Sequence, residues 1–451
     1  MENSKSGVGG KKELKRVLRT RDLVIFGLIF ISPNSAQTLF GELNFISQGH
    51  GLLAIIVGLI AMIFTAFSYG KMASIIPKSG SAYSFASYAI NPTIGFMAGW
   101  AILLDYLIFP MLVYKAGSSF AIEMFPTIPL WLMLLIFIVP MTVVNYFGMK
   151  WSKNLNYVML FLKLVSVLLF VGFAIYALQN GVGTGKVLDI HGFLNVESFS
   201  MNSLVAGASI AVLSYIGFDA ITSLAKDSKV SGKMVGRATI ITCFISAFLI
   251  GIQIYFATLI QNNISENVTA FYNVAVAAGG TGLAAATTMI LMVTGAATAL
   301  AGQASGSRVL FGMGRDKVLP SFLSYLHPKH NTPVNSIFIL SVAGYFGALF
   351  IPLSVFFLIV VFGALIGFIL VNISAFVEFY IRRGERKGKD FFLNLLSPNL
   401  GTVVCVYILI GMPTTGKIVG VCWLLLGFVI LLIQTKGLKN QLTLTSLNEE
   451  V

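Results

Sequence analysis

Charge, histidine and cysteine are all scarce in this sequence. Of its 451 residues 10% are charged, and it holds 4 histidines and 3 cysteines. Cys243, Cys405 and Cys422 lie far apart within apolar stretches and form no CxxC spacing, while His50, His191, His327 and His330 fall in loops or at helix ends. Neither a metal site nor a haem is indicated, and no cofactor is expected. A Gly-rich phosphate loop ahead of a Lys-Ser/Thr pair is also missing, so ATP-driven pumping has no engine in this chain. Clustered His, Ser or carboxylates at catalytic spacing are lacking too, which argues against an intramembrane enzyme. Long polar stretches are few; the longest loops expected are about 179–202 and 309–333, leaving no room for a soluble domain.

What the chain does have is apolar residues. They make up 57% of it, and the mean hydropathy is +0.87, far outside the range of a water-soluble domain of this length. Stretches of roughly 20 apolar residues, enough to cross about 30 Å of hydrocarbon as a helix, recur about twelve times. They cover about 23–44, 52–76, 94–121, 128–147, 155–178, 203–225, 237–261, 283–308, 334–351, 354–380, 399–413 and 418–435. The fold class expected is all-α integral membrane. The first stretch follows a basic segment, 1–22, and is too long for a cleaved signal with no small-residue cleavage site behind it, so it reads as a retained helix.

The formal charge of +13 would suit nucleic acid, but its distribution points to a lipid bilayer. With a cytoplasmic N-terminus, the loops holding Lys78, Lys150, Lys153, Lys229 to Arg237, Arg315 to Lys329 and Arg382 to Lys389 all fall inside, and the opposite loops carry little beyond Lys186 and Lys417. This asymmetry predicts both termini cytoplasmic in the cell membrane, with 436–451 as a C-terminal tail and no nucleic-acid partner.

Spans one and six share an interruption. The first reads Ile31-Ser32-Pro33-Asn34-Ser35 at its centre, and the sixth Ser214-Tyr215-Ile216-Gly217-Phe218-Asp219. Corresponding broken helices five spans apart predict inverted five-helix repeats, about 23–178 and 203–380, with a binding site where the breaks meet and two appended helices at about 399–435. A break frees backbone groups that are tolerated at membrane depth only against a cavity or buried protein; the plainer alternative is a proline kink in a packed helix. Pro33 and Asp105 each lie about ten residues into their spans, roughly 15 Å deep at the helical rise, and the 215–219 break reaches a similar level. Candidate substrate contacts are therefore Ser32, Asn34, Ser35, Gln37, Thr38, Asp105, Tyr106, Tyr215, Gly217, Phe218 and Asp219. Each has a structural alternative. Asp105 could pair with Lys115 or a hydroxyl, Asp219 could cap freed N–H groups, and Tyr106, Tyr215 and Phe218 could be core aromatics rather than rings stacked on an amine. Lys226 and Asp227, at the end of span six, read as a cytoplasmic gate.

Lys163 sits about eight residues into span five with no acid nearby in sequence. It could snorkel towards the interface. Buried, an ammonium is costly in its charged form and becomes a candidate proton-coupling group.

The runs SYGKMASIIPKSGSAYSFASYAINPTIGFMAGWAILLDYLIFPM (68–111), SYIGFDAITSLAKDSK (214–229) and GRDKVLPSFLSYLHPKHNTPVNS (314–336) resemble the amino acid/polyamine/organocation superfamily of secondary transporters, nearest in appearance to bacterial putrescine importers. The resemblance implies a leucine-transporter-like fold with five-plus-five inverted repeats, alternating access, and a substrate held between spans one, three, six and eight. It also implies a proton-coupling role for Lys163, at the place of a sodium ion in sodium-driven relatives. Amino acid members usually carry a GxG break where Ser32, Pro33 and Asn34 stand here. The putrescine importers carry acidic residues at the positions of Thr38 and of Lys226-Asp227. The expectation is thus a secondary active transporter that imports or exchanges a small amino acid or amine as substrate, coupled to protons, with a putrescine importer as the alternative. A channel fits less well, since no pore ring is visible.

Overall fold

The computed structural model describes residues 19–76, 82–148, 153–195, 198–223, 232–261, 269–315 and 319–437. Nearly every described stretch of apolar sequence is helical, as it must be where lipid offers the backbone no hydrogen-bond partner. Among the described residues nine helices are long and apolar enough to cross a membrane, and Thr20–Ile31 with Ala36–Ile46 forms a further span bent by 61°. Two shorter apolar helical stretches, Met201–Ser214 and Val334–Phe350, occupy the sixth and ninth positions. Numbered along the chain, the remaining spans are two (Gly51–Ile75), three (Pro92–Met124), four (Leu130–Phe147), five (Lys153–Gln179), seven (Gly232–Ile260), eight (Ala270–Arg315), ten (Leu353–Arg382), eleven (Lys389–Gly411) and twelve (Thr414–Gln434).

Local chemistry sets the ends. Span three starts on Asn91, whose side chain accepts the Ile94 N–H at 2.8 Å, with Pro92 in the first turn where its missing donor costs nothing. Span four stops at Gly148, which takes φ 67, a left-handed cap that favours glycine. Three boundaries differ from the sequence expectation. Span eight is preceded by a helical segment from Ala270, joined through non-helical Gly279 and Gly280, and its other end runs on to Arg315, shortening the expected 309–333 loop. Span eleven begins at Lys389 rather than about 399. A short helix, Ala82–Ala89, lies between spans two and three.

In the packing span two runs along span seven, and span three along both span eight and span ten. Spans two and seven touch backbone to backbone at Gly70 and Gly236. The last two helices attach outside this frame. Trp100 of span three and Trp423 of span twelve stack 4.8 Å apart, and each indole N–H donates to the other residue's carbonyl at 2.8 Å. On the other side Asn372 of span ten donates to Thr65 of span two at 3.0 Å, beside Cys405 of span eleven.

Candidate functional site

In a continuous helix the Ile29 carbonyl would accept the N–H of the residue four positions on. That residue is Pro33, which has none. The Lys163 ammonium takes the vacant acceptor at 3.0 Å and donates to the Ser32 hydroxyl at 2.6 Å. Ser32 itself turns into the left-handed region at φ 60, ending the first half of span one. The Pro33 carbonyl, freed in turn, receives the Gln253 amide of span seven at 2.9 Å. Gln37 lies on the same buried side, donating to Ser166 of span five at 2.8 Å. The break is thus held by side chains from spans five and seven, and Lys163 is 2% exposed, buried against span one and not reaching an interface.

Span six breaks by a different device. After a short 3-10 turn over Val212–Ser214, Gly217 takes φ 112 with its Cα against the backbone of Phe30 and Ile31; a Cβ there would sit 3.0 Å from the Phe30 Cβ. Asp219 accepts the Gly217 N–H at 3.2 Å, which satisfies one donor that the break releases. The two interruptions therefore meet at Gly217 and the end of the first half of span one.

Two chambers open beside this meeting point. The central one, of about 110 Å³, is lined by Ser32, Asn34, Ser35 and Thr38 of span one, Leu213 and Ile216 of span six, and Thr294 and Thr298 of span eight. Apolar groups from span three (Phe109, Leu112, Val113), with Leu291, Met292 and Phe357, complete it. Its walls are apolar and its hydroxyls and amide gather at the broken backbone, the usual division of a small-molecule site. Asn34 is buried and lies 3.4 Å from the Thr294 hydroxyl, and the Ser35 hydroxyl has no partner among the described residues. The second chamber, of about 150 Å³, lies towards the face of the bundle that carries Thr20. It is lined by Asp105, Tyr106, Gly217, Asp219, Ala301 and Ser305, and shares Phe30, Phe109, Ile216 and Thr298 with the first. Among the described residues its lining holds two carboxylates and no basic side chain, a lining that suits a cation. The Asp105 Oδ1 has no hydrogen-bond partner among the described residues, and no described ion pair joins it to Lys115.

The structure thus brings Ser32, Asn34, Ser35 and Thr38 together in one chamber and Asp105, Tyr106, Gly217 and Asp219 in its neighbour. It turns three of the expected contacts away. Gln37 faces spans five and seven. Tyr215 is fully buried against span two, donating to the Ile55 carbonyl at 2.7 Å. Phe218 packs edge-on to Tyr69 at 5.4 Å and beside Phe368 at 5.1 Å. Lys226 and Asp227 lie outside the described residues. Sequence reasoning missed Thr294 and Thr298, whose spacing of four on an apolar helix puts both hydroxyls on one face, and Gln253, a lone amide within the apolar run LIGIQIYF.

Known proteins share this chain's pattern. The family model described as amino acid permease matches residues 38–414. The low-affinity putrescine importer PlaP of Escherichia coli (strain K12) is 30% identical over 433 residues, 95% of each chain. The branched-chain amino acid permease BcaP of Bacillus subtilis (strain 168) is 26% identical over 469 residues, 94% of each chain. A methylthioribose transporter of the same Bacillus subtilis strain is 23% identical over 449 residues, 93% of each chain.

Proposed function

The chain belongs to the amino acid permease family, and from that premise we propose that it imports or exchanges a small amino acid or amine across the cell membrane by alternating access, coupled to protons. It is an integral membrane permease and not an enzyme. The observation that carries the finer reading is the amphipathic central chamber at the point where two broken spans meet. A zwitterion needs polar partners at one end and, for a small apolar side chain, dry walls at the other. The Ser32, Asn34 and Ser35 end supplies the first, and Phe109, Leu112, Leu291 and Phe357 supply the second. Neutral amino acids are therefore the preferred substrates.

The relatives' names span amines, branched-chain amino acids and a thiosugar, so shared sequence alone does not select among them. A second reading, putrescine import, is favoured by the acidic chamber at Asp105 and Asp219, where a cation entering or leaving would be held. In both readings the N- and C-termini are cytoplasmic, residues 23–435 form one transport domain of two repeats plus two helices, and Lys226 and Asp227 belong to the gate. Lys163, bound to the end of the first half of span one, is the coupling group.

Uptake into proteoliposomes tests the proposal. We expect saturable uptake of a labelled neutral amino acid, acceleration by the same solute inside (counterflow), and competition by neutral amino acids at least as strong as by putrescine. Flux that rises linearly with concentration and shows no counterflow would exclude a carrier. Strong putrescine transport without amino acid competition would select the second reading.

A further inference from the structure

Bordering the central chamber at Phe137 and Met292, a third concave surface runs along spans four, five and eight. Its deeper part, of about 410 Å³, is lined by apolar side chains including Ile136, Pro140, Val144, Met159, Val293 and Leu300. Ile136 and Val293 are each 51% exposed, which at span depth means exposure to lipid chains. At Leu300 this groove joins a polar cavity of about 710 Å³ formed by the ends of spans four and eight and the segment leading into span nine. The polar lining includes Asn145, Ser307, Arg308 and His330 and, among the described residues, no acidic side chain. Arg308 is exposed and has no hydrogen-bond or ion-pair partner among the described residues. Beside this cavity the exposed ring of Phe147 stands edge-on to His330 at 5.3 Å.

We propose that this continuous surface is a binding site for an anionic phospholipid, one acyl chain in the apolar groove and the phosphate at Arg308 and His330. The continuity decides the occupant. A soluble anion would use the polar cavity and leave the groove untouched, whereas a lipid matches both parts and their order with depth. Basic pockets between spans at the membrane surface hold anionic headgroups by this combination of charge and depth, and an unpaired guanidinium offers a phosphate paired donors. Because the groove rests on span eight, which also lines both transport chambers, a seated lipid would brace that span.

Native mass spectrometry of the purified full chain in detergent tests this without measuring transport, so its failure is separate from any failure of the permease reading. Phosphatidylglycerol and phosphatidylcholine with identical acyl chains are the probes. We expect the wild-type chain to retain phosphatidylglycerol about tenfold more strongly. Arg308→Gln should bring the two lipids level, Arg308→Lys should keep part of the preference, and Ala297→Phe, which fills the groove, should weaken both. An unchanged preference in Arg308→Gln overturns the proposal. So does displacement of phosphatidylglycerol by inorganic phosphate at equal concentration, which would make the cavity a site for free anions.

Discussion

Asp105 carries the chemical decision between the two substrate readings. Its carboxylate lines the acidic chamber with one oxygen that no described residue engages, an arrangement that a substrate ammonium would complete. Removing one partner of a buried charge pair costs about 3–5 kcal/mol, so Asp105→Asn should weaken putrescine binding a hundredfold or more where that contact forms. Neutral amino acids held in the central chamber should lose far less. Equilibrium binding of both solutes to the variant reads the difference, and unchanged affinity for each would make Asp105 a structural carboxylate. The distance of Asp105 along an apolar stretch predicts a place in the interior of a span, and it stands inside the helix Pro92–Met124. Which neighbours face it was not legible in the sequence. Across the span-six break the chain leaves helical phase, so Ile216 and Gly217 turn to the chambers while Tyr215 and Phe218 turn to spans two and ten. Gln37 illustrates the same limit in span one: a buried amide signals a polar partner, but its partners, Ser166 and Gln253, come from spans 129 and 216 residues away.

Helix against helix, spans two and seven cross closely at Gly70 and Gly236, where a Cβ on either would meet the other's Cα. Small residues let membrane helices approach in this way and gain dispersion contacts along their length. Gly70→Val should force the crossing apart at about 1–3 kcal/mol, seen as a lower unfolding midpoint in detergent and as slower counterflow. Gly172→Ala, in span five with nothing within 4 Å of a built Cβ, is the control and should leave both unchanged. Equal midpoints for the two variants would mean that the bundle absorbs a wider crossing. Ten of the elements were legible as long apolar runs and Met201–Ser214 and Val334–Phe350 as shorter ones, and the two breaks because proline, glycine and clustered polar side chains are rare in such runs. The extension of span eight back to Ala270 was hidden by Gly279 and Gly280, which read as a loop and instead make a bend within helical chain.

For the molecule as a whole, transport against a gradient needs one event to bias the arrangement of the bundle, and the tie between spans one and five is the place where a single proton could do so. The first half of span one ends at a carbonyl orphaned by Pro33, and the ammonium that satisfies it belongs to Lys163, on a span 131 residues from Ser32. Protonated, Lys163 has three donors and holds Ile29 and Ser32 together. Neutral, it has two and no charge, so the attraction that keeps this half of span one against span five weakens. A group with different proton affinity in the held and released arrangements shifts their populations as it titrates, and by the same linkage moves protons as the arrangement changes. Glutamine keeps a polar donor, one bond shorter than lysine, but carries no titrating charge. Lys163→Gln should therefore retain substrate binding and counterflow while losing uphill uptake driven by a pH gradient, with sodium dispensable in both proteins. Proteoliposomes loaded at one pH and diluted into another separate the two activities. Accumulation above equilibrium by the variant, with protons as the sole gradient, would remove Lys163 from the coupling step and leave it as the side chain that repairs a proline break.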